Sequence, residues 1–309
     1  MGEGLRTTAR IPQGLKTRRS CAAFRKHERM NTPVMIRHHT SYRYDRPVFL
    51  GPQTIRLRPP ARTCNTVLAY ALSIGPGESQ ITWHQDLYAN TVAEATFQDR
   101  VSHFDIEVRM TVDLTPYDPL IAPRYPTEEV SPSYREAIED KSILEAFLNE
   151  EFSSSGETDL DRLVWLNRRI AAALRYQPRM EPGIWTPAET LSRQTGSCRD
   201  SGWLLVAFAR HLGFAARFVS GYLIQPSSQE NAPHGLICDL HAWAEILLPQ
   251  HGWLGFDTTS GLITAQNHIP LAVSATPEDA APVSGLLDHC QARFDVLMEA
   301  QHLHEVAKT

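Results

Sequence analysis

The sequence lacks most of the features that would declare its class at once. Its five cysteines (Cys21, Cys64, Cys198, Cys238, Cys290) are odd in number, widely spaced and include no C-x-x-C. In a chain this long that argues against a disulfide framework and for reduced thiols in a cytoplasmic setting. No apolar run approaches the ~18 residues of a membrane span, and no apolar core of a secretory signal follows Met1. A net charge of −5 leaves no nucleic-acid footprint. That total hides an asymmetry, because residues 1–29 carry eight Lys or Arg against Glu3 and Glu28. The opening is therefore +6 and the rest −11, together −5. The basic opening loosely resembles an organelle transit peptide, but patterned sequence begins only near Met35. Residues 1–34 thus read as a disordered basic tail or a start placed too far upstream. Internal repeats and low-complexity tracts are absent as well.

What is present is patterning of two kinds. From Met35 to Leu114 the period is two, clearest where Phe104, Ile106, Val108, Met110, Val112 and Leu114 occupy six alternate positions. Such alternation predicts half-buried antiparallel strands. Pro47, Gly51-Pro52, Pro59-Pro60 and Gly75-Pro76-Gly77 separate the runs as turns. Residues 35–115 therefore read as an all-β sandwich domain. A proline-rich connector follows over 116–157, with a helix expected from Tyr134 to Phe152. Thr158 with Asp161, and Thr186-Pro187 with Glu189, are capping-box signals that start two further helices. Ser197 with Asp200 is a third, opening an apolar helix at Cys198 that closes at Gly213. Strands are then expected over Phe214–Ile224, around His241–Leu248 and over Trp253–Phe256. The core spans 158–285, and a C-terminal tail, 286–309, is expected to be helical over 286–306. The fold class is α+β.

Chemistry concentrates on three of these elements. Cys198 sits at a helix start, where free N–H groups and the helix dipole favour thiolate. His241 lies at the head of a strand and Asp257 at the end of the next, so a hairpin would bring them together across ~4.8 Å. Alone, each has an ordinary reading: a packed cysteine, a half-buried histidine, a turn-forming aspartate. Together, in the order Cys…His…Asp, they supply a nucleophile, a base and a carboxylate that fixes the ring tautomer. The Cys198 N–H would face the developing oxyanion, with Gln194 as a second-donor candidate. Asp200 reads as a structural cap, and Arg217 and Tyr222 as lining or core. The competing reading takes His234, Cys238 and His241 (H-x3-C-x2-H) as metal ligands. A non-catalytic binding module is the other.

The segments GSCRDSGWLLVAFARHLGF, DLHAWAEILLPQHGW and LGFDTTSGL resemble the bacterial transglutaminase-like superfamily, and IRHHTSYRYDRPVFLGPQTIRLRPP resembles its accompanying β-rich N-terminal domain. The resemblance implies a papain-like core in which a helix bearing Cys198 packs on an antiparallel sheet bearing His241 and Asp257. It implies Cys198 as nucleophile, His241 as base and Asp257 as orienting carboxylate, with no metal or organic cofactor. Thr258 stands where the family usually has Pro. The implied activity is acyl transfer on a peptide or protein amide, with hydrolysis favoured over transamidation. Arylamine acetyl transfer uses the same triad order, but nothing in the sequence points to coenzyme A. The stretch PRMEPGIWTPAETL is closest to members often fused to an ATP-grasp-like region, so such a domain or protein is a possible partner; neither nucleic acid nor membrane is expected.

Overall fold

A computed structural model of the chain describes residues 32–77, 79–121, 130–138, 141–148, 152, 156–179, 181–227 and 235–303. The expected tail at 1–34 lies almost wholly outside them, as do His234 and His304. Two four-stranded antiparallel sheets form the sandwich. β1 (Pro33–Val48), β2 (Leu50–Arg58), β3 (Thr66–Gly75), β4 (Gln80–Gln85), β5 (Thr91–Thr96) and β6 (Val101–Asp113) come from the region of period-two patterning. All six alternate apolar residues from Phe104 to Leu114 are buried. At ~1.5–3 kcal/mol for each buried large side chain, that single row specifies which face of β6 turns inward.

Among the described residues the connector holds a 3-10 turn at Pro132–Arg135, α1 (Lys141–Phe147) and a helical Phe152, with 136–138 and Leu148 outside helix, so the expected Tyr134–Phe152 helix is interrupted. The first two of the three predicted capping boxes start α2 (Asp159–Ala173) and α3 (Pro187–Arg193). Two-residue strands β7 (Arg175–Tyr176) and β8 (Thr195–Gly196) pair in parallel just before α4 (Cys198–His211). A five-stranded sheet follows, built from β9 (Ala216–Pro226), β10 (Leu236–Leu248), β11 (Gly252–Asp257), β12 (Leu262–Ile263) and β13 (His268–Ser274), in the order β12-β11-β10-β9-β13.

Helix α4 lies on one face of this sheet, its Leu204, Leu205 and Phe208 packed with Ala242, Ala244, Ile246 and Phe256. Small residues set the distance. A Cβ on Gly202 would come within 3.4 Å of the Trp243 backbone, so the helix and β10 approach closely there. Tyr222, Ile224, Cys238, Ile269 and Leu271 instead join the sandwich core of Ile36, Phe104 and Ile106. One apolar cluster therefore fuses the sandwich to the sheet.

The C-terminal tail departs from expectation. Residues 286–306 were expected to be helical, as Leu, Met, Glu, Ala and Gln over 297–301 favour helix. Instead β14 (Val283–Leu287) pairs with β2, and β15 (Ala292–His302) pairs with β1 over eleven positions. Pairing with β1 and burial of Ala300 override local preference. The sandwich sheets run β15-β1-β6-β3 and β14-β2-β5-β4, each with an edge strand from the chain's last thirty residues.

Candidate active site

The Cys198 loop is held by a buried carboxylate. Asp200 has no exposed surface. Its Oδ2 accepts the N–H (2.8 Å) and hydroxyl (2.7 Å) of Ser197 and Arg179 Nε (3.0 Å), while Oδ1 accepts Arg179 Nη2 (3.0 Å) and the Trp185 N–H (2.9 Å). Burial alone would raise the Asp200 pKa, but Arg179 and these N–H donors hold it below the ordinary carboxylate value. The chain passes Asp200 closely at Gly196, where a Cβ would come 3.0 Å from Asp200 Cβ. Asp200 is thus more than a cap. Its main partner, Arg179, lies 21 residues upstream with no pattern linking the two. Gln194 takes the left-handed C-cap conformation of α3 (φ 50°) and is exposed.

His241 and Asp257 meet through the β10–β11 hairpin. The register pairs Ala244 with Phe256, so residues 241 and 257 are diagonal neighbours on one face. His241 Nε2 lies 3.2 Å from Asp257 Oδ2 as a buried ion-pair contact without an aligned hydrogen bond. Cys198, 9% exposed, contacts the same imidazole, and with Nε2 toward Asp257 the nitrogen left for the sulfur is Nδ1. Burial pulls the His241 pKa down, yet Asp257 and then Cys198 outweigh it and raise it to about 10. Burial likewise pushes Asp257 up, but His241 and His268 hold its pKa far below the carboxylate range. Asp257 Oδ1 accepts the Thr259 N–H (2.9 Å) and hydroxyl (2.8 Å). Thr258 donates from its hydroxyl to Ser201 Oγ (2.8 Å), which donates to the Ser197 carbonyl (3.1 Å). A proline at 258 could not tie the Asp strand to the Cys helix in this way.

Two residues near this group gave no signal in the sequence. His268, at the start of β13, places Nε2 3.2 Å from the same Asp257 Oδ2; the run it opens, HIPLAV, contains Pro270, which argues against a strand. Tyr176 pairs with Gly196 on the strand just before Cys198, and burial, with a smaller contribution from nearby groups including Asp257, raises its pKa. Of the alternative metal set, His234 lies outside the described residues, and the other two do not face each other. Cys238 is buried in the sandwich-facing core, and by strand parity it sits on the face of β10 opposite His241. Tyr222 is core, its hydroxyl 2.8 Å from His38 Nδ1. Arg217 pairs with Glu245 and lies 4.0 Å over Trp253, lining a cavity of about 520 Å³ between sandwich and sheet. Trp243 and His268 line this cavity too.

A thiol at a helix start, an imidazole on the neighbouring strand and a buried carboxylate behind it form a papain-like constellation on an α+β fold. The sequence agrees: residues 146–258 match the transglutaminase-like superfamily and residues 34–113 match the bacterial transglutaminase-like N-terminal region. Region by region, the chain is similar to a bacterial transglutaminase-like N-terminal region followed by a transglutaminase-like core. An uncharacterized protein of Mycobacterium tuberculosis is 25% identical over 272 residues, covering 82% of this chain and 86% of its own. One of Mycobacterium leprae is 24% identical over 291 residues, covering 87% and 99%. A solved structure described as a candidate cysteine protease from Cytophaga hutchinsonii superposes with a TM-score of 0.67 at 18% identity, covering 89% of this chain and 92% of that one. That likeness carries the fold. No helix among the described residues is long and apolar enough to cross a membrane.

Proposed function

We propose that the protein is a cysteine-dependent acyl-transfer enzyme acting on peptide or protein amides, with hydrolysis as its main outcome. The observation that carries this reading is the contact of Cys198, first residue of α4, with an imidazole whose other nitrogen lies 3.2 Å from a buried Asp257 carboxylate. The match of residues 146–258 to the transglutaminase-like superfamily supports it.

In this reading Cys198 Sγ attacks the carbonyl carbon and the carbonyl π pair moves to oxygen. The first-turn N–H groups of α4, Cys198 among them, have no intrahelical partner and can donate to that oxyanion. Collapse breaks the C–N bond, His241 protonates the leaving amine, and a thioester remains. Water, deprotonated by His241, then attacks the thioester and releases acid and thiol. An amine in place of water gives transamidation through the same intermediate. Asp257 stays ionised throughout and stabilises the imidazolium.

The deciding experiment is the pH dependence of Cys198 alkylation by iodoacetamide, in wild type and His241→Ala. Fast labelling well below pH 8 that the variant loses supports the reading. Slow labelling of both, with a midpoint near the ordinary thiol value of ~8.5, counts against it. Mass spectrometry of a glutamine peptide incubated with and without an alkylamine then separates hydrolysis from transamidation.

A further inference from the structure

We propose that His241, Asp257 and His268 form a site for a divalent transition ion of the zinc class, entered from the cavity between sandwich and sheet. One ligand atom from each of the three side chains lies within 4.8 Å of the others. Both histidine Nε2 atoms stand 3.2 Å from one carboxylate oxygen, Asp257 Oδ2. Zinc bonds of ~2.0–2.1 Å in a tetrahedron set neighbouring donors about 3.3 Å apart. Two of the three donor separations thus already have the value coordination needs, and only the two ring nitrogens must draw together. Two imidazoles and a carboxylate are also a donor set that zinc takes with an open fourth position.

A second, independent observation concerns His241. Its Nε2 is buried and, despite its nearness to Asp257, makes no aligned hydrogen bond. An ion at the centre of the three groups would satisfy it. Access runs through His268, which is the most exposed of the three at 12% and lines the 520 Å³ cavity. That cavity has room for the water or anion completing the tetrahedron.

On binding, each ring presents an unprotonated Nε2 and carries its proton on Nδ1, so the ion displaces protons and leaves no bond unbalanced. The ion would occupy the two atoms by which Asp257 now supports His241, and acyl transfer would stop until it is removed. That inhibitory consequence rests on the proposed function; ion binding itself does not.

The test uses the full, tag-free, metal-stripped chain titrated calorimetrically with Zn²⁺ and followed by visible absorption with Co²⁺. We expect one ion per chain, uptake within twofold of wild type in Cys198→Ala, and a cobalt spectrum without thiolate charge transfer. His268→Gln keeps an N–H for Asp257 but removes the imidazole, and should weaken uptake by more than the ~10–100-fold that changes around a site's ligands cost. Loss of uptake in Cys198→Ala, or a thiolate charge-transfer band, would overturn the site by placing the ion on the sulfur. Absence of saturable one-to-one uptake by wild type would overturn it equally. If His268→Gln does not fold, the Cys198→Ala titration and the cobalt spectrum still decide. Failure of the acyl-transfer reading looks different: labelling at Cys198 indifferent to His241→Ala, with zinc uptake intact.

Discussion

Two histidines in this molecule are almost equally buried and behave in opposite ways. His38, 1% exposed, sits where the sandwich meets the five-stranded sheet, with Nδ1 2.8 Å from Tyr222 Oη and Nε2 2.8 Å from Thr40 Oγ1. Burial, with a smaller contribution from His39, lowers its pKa to about 4. His241, 8% exposed, has its pKa raised to about 10 because burial is opposed by Asp257 and Cys198. The desolvation has the same sign at both sites, so the partner decides the charge. Burial with only hydroxyl partners leaves His38 neutral, whereas a carboxylate and a sulfur hold His241 charged, the state the proposed proton transfers use.

The contrast breaks most sharply under substitution. His241→Ala should lower kcat/KM by about 10²–10⁴-fold, the usual worth of a positioned acid–base group, while His38→Ala should leave Cys198 labelling intact. Progress curves on an amide substrate, beside the labelling assay, check both. Next in size is Arg179→Met. It leaves the buried Asp200 carboxylate without its cation and should cost about 3–5 kcal/mol in urea unfolding, against a far smaller loss for the half-exposed Arg37.

pH sharpens the same comparison. The His38 pKa in the folded state lies below its ordinary 6.5, so the unfolded chain binds the proton more readily. The stability tied to a neutral His38 is therefore complete above pH ~6.5 and is lost as pH falls toward about 4. The loss is on the order of 3 kcal/mol. Denaturant midpoints from pH 7 to 4.5 should fall in wild type and fall less in His38→Gln. The smallest effect is expected of Thr258→Val, which removes one hydroxyl bond between the Asp loop and α4 at about 1 kcal/mol, read as a small shift in denaturant midpoint.

How much of this was legible in the sequence follows from how local each signal is. The inward row of β6, the caps of α2 and α3, and the placement of Cys198, His241 and Asp257 on a helix start and two hairpin strands all depend on residues within a few positions of one another. Arg179 on Asp200 and His268 on Asp257 depend on chain segments meeting in space, and neither has a spacing rule. β15 shows the limit from the other side. Its composition favours helix, and only β1, some 260 residues earlier, makes it a strand. The pairing of His38 with Tyr222 was equally out of reach, although the alternation around His38 did turn it inward.

That pairing of first strand with last has a consequence for how the chain is made. During synthesis Pro33–Val48 emerges early, yet one of its hydrogen-bonding edges waits for Ala292–His302. The segment carrying Cys198, His241 and Asp257 is thus enclosed between two parts of the same sandwich, like a text between its own quotation marks. Contacts this distant in sequence form slowly, so the sandwich is expected to close last.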